Sequence, residues 1–228
     1  MRLFPRNYFL LIVFAVIHAI NRNVPNVVFP FSSFEKLREH AMTFHAVTTE
    51  LPGTVAAGDG ICLNIEAPTL KEVQGDLKSQ FSRKGFYTYS VVMFCDAALR
   101  IMAANAEQCG STGDGMQYSC SWLHDFIDKG KLPAQFHVVL DEAFKCTKQE
   151  LSAHPKPRAP NRLSEEQDAF NFYLSLQRQV IERCFALLTW RWGVFWRPIK
   201  VKFGGIKDLV ACCCRYVLPP FCVMAAVL

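Results

Sequence analysis

The sequence predicts an α/β fold, a sheet flanked by helices, on three observations. Phe86-Tyr-Thr-Tyr-Ser-Val-Val-Met-Phe-Cys95 is rich in β-branched and aromatic residues and is the strongest strand signal in the chain. Residues 54–65 form a second apolar strand carrying one acid, Asp59, in its middle. Ser164-Glu165-Glu166-Gln167 has the spacing of a capping box and opens a long helix.

Taken in order, residues 21–50 combine a connector with one helix. Ser32 or Ser33 can cap residues 34–44, whose apolar Phe34, Leu37, Ala41 and Phe44 fall on one face. Leu51-Pro52-Gly53 breaks the chain before the first strand. A loop with Pro68 and the basic cluster Arg83-Lys84-Gly85 lead into the strand at 86–95, and residues 100–107 make its antiparallel partner after a tight turn. Gly110-Ser-Thr-Gly-Asp-Gly115 lacks the Gly-Lys-Ser/Thr ending of a phosphate-binding loop, so no nucleotide cofactor is expected. Residues 116–128 are predicted as one helix stopped at Gly130, and 136–140 as a short buried strand ending at Asp141. Residues 152–163, with Pro155, Pro157 and Pro160, form a basic loop. The helix opened by Ser164 keeps Phe170, Leu174, Ile181, Cys184 and Leu188 at helical spacing through to Trp190-Arg-Trp192. A final helix over 206–214 precedes Pro219-Pro220.

A length of 228 residues allows one domain with short appendages. We divide the chain into an N-terminal segment, 1–50, a main domain, 51–214, and an apolar tail, 215–228. The charged fraction of 20% and hydrophobic fraction of 51% exclude a disordered or collagen-like chain. No uninterrupted apolar run reaches 18 residues, which excludes a multi-span membrane protein and makes membrane partners unexpected. A formal net charge of +5 permits nucleic acid as a partner without requiring it.

The ten cysteines include no CxxC pair, and Cys212-Cys213-Cys214 are consecutive. Such spacing suits free buried thiols in a reducing compartment better than a disulfide framework or a zinc site. The N-terminus points the other way. Arg2 and Arg6 precede an apolar core from Tyr8 to Ile17, with Ala19 at a suitable cleavage position, which has the shape of a secretory signal. A buried helix and non-native sequence are the alternatives.

Three acids occupy unusual places: Asp59 inside an apolar strand, Asp141 at a strand end, and Glu182 on the apolar-rich side of a helix. Burying carboxylates costs several kcal/mol per ion unless something compensates, and a hard divalent cation would do so. The bland alternative leaves each acid an ordinary turn or surface residue, with Glu182 paired to Arg178 at the i,i+4 spacing.

Five blocks in register across residues 51–214 carry a family resemblance. They are Leu51-Pro-Gly-Thr-Val-Ala-Ala-Gly-Asp59-Gly60; Arg83-Lys84-Gly85-Phe86-Tyr87 with Cys95-Asp96-Ala97; Gly110-Ser-Thr-Gly-Asp114; His137-Val-Val-Leu-Asp141-Glu-Ala-Phe144; and Phe170-Asn171 through Arg178, Glu182-Arg183 and Phe185. Together the chain resembles the PIF/Harbinger-type DDE transposases and their domesticated nuclease relatives. The resemblance implies a ribonuclease H-like mixed five-stranded sheet flanked by helices. Its acids would lie on the first strand, just after the fourth, and on a late helix. It implies Asp59, Asp141 and Glu182 as catalytic metal ligands, Mg2+ or Mn2+ as a pair of ions, and DNA strand cleavage. It also places Asp114 behind the ligands and lets Arg178 and Arg183 orient Glu182 or hold a phosphate. Arg83 and Lys84 would meet the DNA backbone.

The same resemblance implies a nuclear protein, with a separate DNA-binding partner supplying target recognition. In that setting residues 1–19 are expected to be a buried helix or non-native sequence, and the secretory pathway is the alternative. The chain departs from the family pattern at Gly58, Gly113, Phe144, Thr189 and the end of its last helix. These departures define the rival expectation, a catalytically silent derivative that binds DNA or a protein.

Overall fold

The computed structural model describes residues 6–23, 33–106, 113–157 and 162–216. The strands are β1 (Thr54–Asn64), β2 (Thr88–Cys95), β3 (Ile101–Asn105), β4 (His137–Leu140) and β5 (Glu150–Ser152). They form one sheet in the order β3-β2-β1-β4-β5. The meander β1–β2–β3 is antiparallel, while β1–β4 and β4–β5 are parallel. This is the mixed five-stranded sheet expected, in a ribonuclease H-like arrangement.

Both faces of the sheet are covered, and β2 is buried along its whole length. A strand buried on two faces reads as a continuous apolar run, which is why residues 86–95 announced themselves so clearly. Side chains alternate between faces. Val91, Met93 and Cys95 meet α5 (Glu165–Arg191) and α6 (Ile206–Arg215). Val92 and Phe94 meet Leu37 of α2 (Phe34–His45), Tyr118 of α3 (Asp114–Ser119), and Leu123 and Ile127 of α4 (Trp122–Asp128).

The capping box of α5 is formed: Ser164 Oγ accepts from Gln167 N at 3.2 Å, and Gln167 Oε1 accepts from Ser164 N at 3.1 Å. From there Leu174, Val180, Ile181, Cys184 and Leu188 bury one stripe against the sheet. Each such apolar side chain contributes about 1.5–3 kcal/mol when fully buried.

Gly58 now has a physical reason. It pairs across the ladder with Phe94, whose ring lies over it where a Cβ would have to go. Gly53, at φ +93°, ends the turn before β1 with its Cα against the Gln135 carbonyl. A side chain there would be both strained and obstructed.

The structure differs from the sequence-based expectation in several places. Residues 116–128 are two helices, not one, because Ser121 caps a new helix by accepting from His124 N at 3.2 Å. The edge strand β5 lay within polar sequence, and its Glu150 is nonetheless 3% exposed. Of the signal-like segment, Arg6–Asn23 forms a helix, α1, that packs on α6. Ile17 is buried there, Asn21 Nδ2 donates to the Asp208 carbonyl at 3.0 Å, and Arg215 Nη1 donates to Asn21 Oδ1 at 2.7 Å. Among the described residues no helix is long and apolar enough to cross a membrane. The described cysteines are free thiols, with Cys95, Cys184 and Cys212 to Cys214 buried, but Cys120 and Cys146 are exposed. Cys109, Cys222 and nearly all of the expected apolar tail lie outside the described residues.

Candidate active site

Alternation along β1 and β4 decides which way the acids face. Ala57, Ile61 and Leu63 of β1 pack on the α5 face, so Asp59 between them points the same way. Val139 of β4 packs on that face too, which puts Asp141, two residues on, beside Asp59 at the end of the parallel pair. A bulge near the start of β1 extends the pattern. The β1–β4 register shifts between Thr54 and Ala56, so that Val55 and Ala56 both pack on the opposite face and Thr54 turns toward α5.

Arg178, on α5, closes over the two acids. Its Nη2 stands 3.1 Å from Asp59 Oδ2 and its Nη1 3.2 Å from Asp141 Oδ1. The side chains are 15%, 20% and 39% exposed respectively, which makes a shallow cleft rather than a sealed one. Asp59 is also fixed from behind, its Oδ1 accepting from Gly60 N at 2.8 Å. The loop after Asp141 is shaped by α3. A Cβ on Gly115 would fall 2.5 Å from the Ala143 carbonyl, and Phe144 is buried against the Tyr118 ring, with 5.6 Å between centroids.

The sequence left open whether Arg178 pairs with Glu182. It pairs with Asp59 and Asp141 instead. Glu182 is exposed one turn farther along α5, which corrects its expected place on the apolar-rich side: Ile181 and Cys184 take the buried positions and Glu182 points outward. Arg183 is exposed and donates to Gln179 Oε1 at 3.5 Å rather than to Glu182. Arg83 and Lys84 are exposed in the turn before β2. Asp114 begins α3, and its side chain lies outside the described residues. Among the described residues no group of three or more His, Cys, Asp or Glu side chains is gathered closely enough to hold a metal ion.

Residues that the sequence did not single out tie the site together. Buried Thr54 and Gln177 and half-buried His137 form a polar chain joining β1, α5 and β4, the three elements that carry the acids. Burial pulls the His137 imidazole down to about 4, so it is neutral near pH 7. The one signal available in the sequence was Gln177 itself, a polar residue three positions after Leu174 and four before Ile181 on the buried stripe.

The donor chemistry suits a hard cation. Two carboxylates from adjacent parallel strands are drawn to a single positive group, here the Arg178 guanidinium. The cleft therefore pairs acidic oxygen donors with a resident cation, and exposed Arg83, Lys84 and Arg183 add positive charge on the surface.

A family model described as DDE superfamily endonuclease matches residues 58–217. No curated protein and no solved structure matches.

Proposed function

The chain belongs to the DDE superfamily endonucleases, and from this membership we propose that it is a divalent-metal-dependent DNA endonuclease of the PIF/Harbinger type. Asp59, Asp141 and Glu182 would hold Mg2+ or Mn2+, which when bound would activate the attacking oxygen and stabilise the leaving one during phosphodiester cleavage. The single observation that carries this reading is the meeting of Asp59 and Asp141 on the α5 face of the sheet, where Arg178 of α5 contacts both. Strand alternation aims the first two acids, and the third would have to come from Glu182, which α5 carries one turn beyond Arg178.

The chain's own groups supply orientation and charge. Gly60 N holds one oxygen of Asp59 in place. Arg178 and Arg183 lie along α5 where they could engage a phosphate, and Arg83 and Lys84 could position the DNA backbone without reading its sequence. A nuclear location and a separate DNA-binding protein for target choice belong to the same proposal.

The outward position of Glu182 favours a second reading, a silent derivative that keeps the fold without the chemistry. Nicking of supercoiled plasmid by the full chain, with Mg2+ or Mn2+ and with chelator, separates the two. The endonuclease reading expects metal-dependent nicking that Asp59→Asn, Asp141→Asn and Glu182→Gln each abolish. Folded protein that never nicks supports the silent derivative, and nicking undiminished by all three substitutions removes these acids from the reaction.

A further inference from the structure

Arg178 does more than neighbour the acids: it occupies them. One guanidinium nitrogen is given to each carboxylate, at 3.1 Å and 3.2 Å, a split that suits the planar fork of arginine, whereas an ammonium would have to serve both from one nitrogen. Among Asp59, Asp141 and Arg178, two negative charges stand against one positive, a net of about −1 that is still attractive to a divalent cation. The third donor of the same side chain is badly served. Arg178 Nε is buried with no hydrogen-bond acceptor, so its present position is set by the two carboxylates and not by a full set of partners. Asp59, in contrast, keeps its Gly60 N contact whatever Arg178 does, and stays oriented if the guanidinium leaves.

We infer that Arg178 is a resident counter-ion which a divalent cation must displace to reach Asp59 and Asp141, so that this one side chain sets the metal affinity of the site. The inference rests on the reading of those two aspartates as metal ligands. In the metal-free chain Arg178 offsets one of the pair's two charges and ties β1 and the end of β4 to α5. On metal entry its positive charge becomes a repulsive neighbour, and the guanidinium has to move outward along α5.

Mn2+ binding to the full chain, followed by titration calorimetry and by loss of the free Mn2+ paramagnetic resonance signal, tests this without reference to activity. Arg178→Gln should bind Mn2+ about tenfold or more tightly than the original, because a like charge within a few ångströms has been removed. Arg178→Lys should fall between them, and it carries the comparison should the glutamine variant fail to fold. Adding Asp59→Asn to Arg178→Gln should cancel the gain. Equal or weaker binding by the Arg178 variants, with Asp59→Asn alone abolishing binding, overturns the counter-ion role and leaves the metal site standing. Absence of Mn2+ binding in every variant, or binding indifferent to Asp59→Asn, removes the site and the counter-ion together.

Discussion

Thr54 Oγ1 stands 2.6 Å from Gln177 Oε1 and, on its other side, 2.7 Å from His137 Nε2. Gln177 Nε2 in turn donates to the Leu51 carbonyl at 3.1 Å, which fixes the orientation of the amide. The Thr54 hydroxyl has two acceptors, Gln177 Oε1 at 2.6 Å and the Leu51 carbonyl at 3.3 Å. With its proton on the nearer one, Gln177, the matching His137 tautomer carries its proton on Nε2 and donates to Thr54. The result is a one-way chain of hydrogen bonds from β4 through β1 to α5, starting four residues before Asp141 and ending one residue before Arg178.

Thr54→Val is the direct test of that chain. It leaves Gln177 Oε1 buried without a donor, a loss of about 1–3 kcal/mol. Thr54→Ser keeps the hydroxyl and should stay much nearer the original. Urea denaturation of the three proteins checks the order, and equal stabilities would show the chain to be energetically idle.

The neutral state of His137 gives a pH dependence of definite sign. Its folded value is about 4 against an ordinary 6.5. As pH falls from 6.5 toward 4 the unfolded chain takes up a proton that the folded chain refuses, so stability drops across that window and is fully present above it. The contribution is at most about 3 kcal/mol. His137→Gln, which can still donate to Thr54, should flatten this part of the stability–pH curve, and an unchanged slope would count against a neutral His137 in the folded chain.

Gly58→Ala should destabilise by about 1–3 kcal/mol, since its methyl group would enter the space filled by the Phe94 ring. Combining it with Phe94→Leu should cost less than the sum of the two single changes, because the nearest atoms the methyl group would meet belong to that ring. A fully additive double variant would mean that the glycine is required for some other reason.

Buried Glu150 accepts from Tyr118 Oη at 2.6 Å and Thr147 Oγ1 at 3.0 Å, with His124 Nδ1 at 2.8 Å. Burial, then the contact with Glu150, raises the Tyr118 phenol far above its usual range, so it remains a donor at every ordinary pH. Glu150→Ala should leave those donors stranded and cost about 1–3 kcal/mol or more. Loosened packing of α3 and α4 on the sheet should appear as faster amide exchange there, and unchanged exchange would contradict the role.

What was legible in the sequence follows from where the interactions are local. β1, β2, β4 and α5 were visible because two-residue and helical periodicities record burial directly. β5 was not, because Glu150 is tolerated inside only through partners on α3 and α4. The break at Ser121 was hidden within a continuing apolar pattern, and the bulge at Thr54 leaves no mark that spacing can show. At the site, Asp59 and Asp141 stood out as acids set in apolar strands. The partner of Arg178 did not: the i,i+4 spacing offered Glu182, but a carboxylate 119 residues away in sequence is held closer by the sheet.

Glu182 separates chemistry from architecture. It is exposed on α5, so Glu182→Gln removes a charge without opening a cavity or stranding a buried partner, and metal-free stability should change by no more than about 0.5 kcal/mol. Asp59→Asn is different, because Arg178 loses one of its two carboxylates and the metal-free protein should be measurably weakened. Added Mn2+ should raise the melting temperature of the original chain more than that of Glu182→Gln, since a ligand stabilises according to its occupancy of the folded state. Thermal melts with and without Mn2+, read beside plasmid nicking, give each substitution two coordinates. An original chain that gains stability from Mn2+ and nicks, beside a Glu182→Gln chain of equal metal-free stability that does neither, assigns Glu182 to the metal. Equal metal responses in the two proteins would leave Glu182 an ordinary surface acid and confine any metal binding to Asp59 and Asp141.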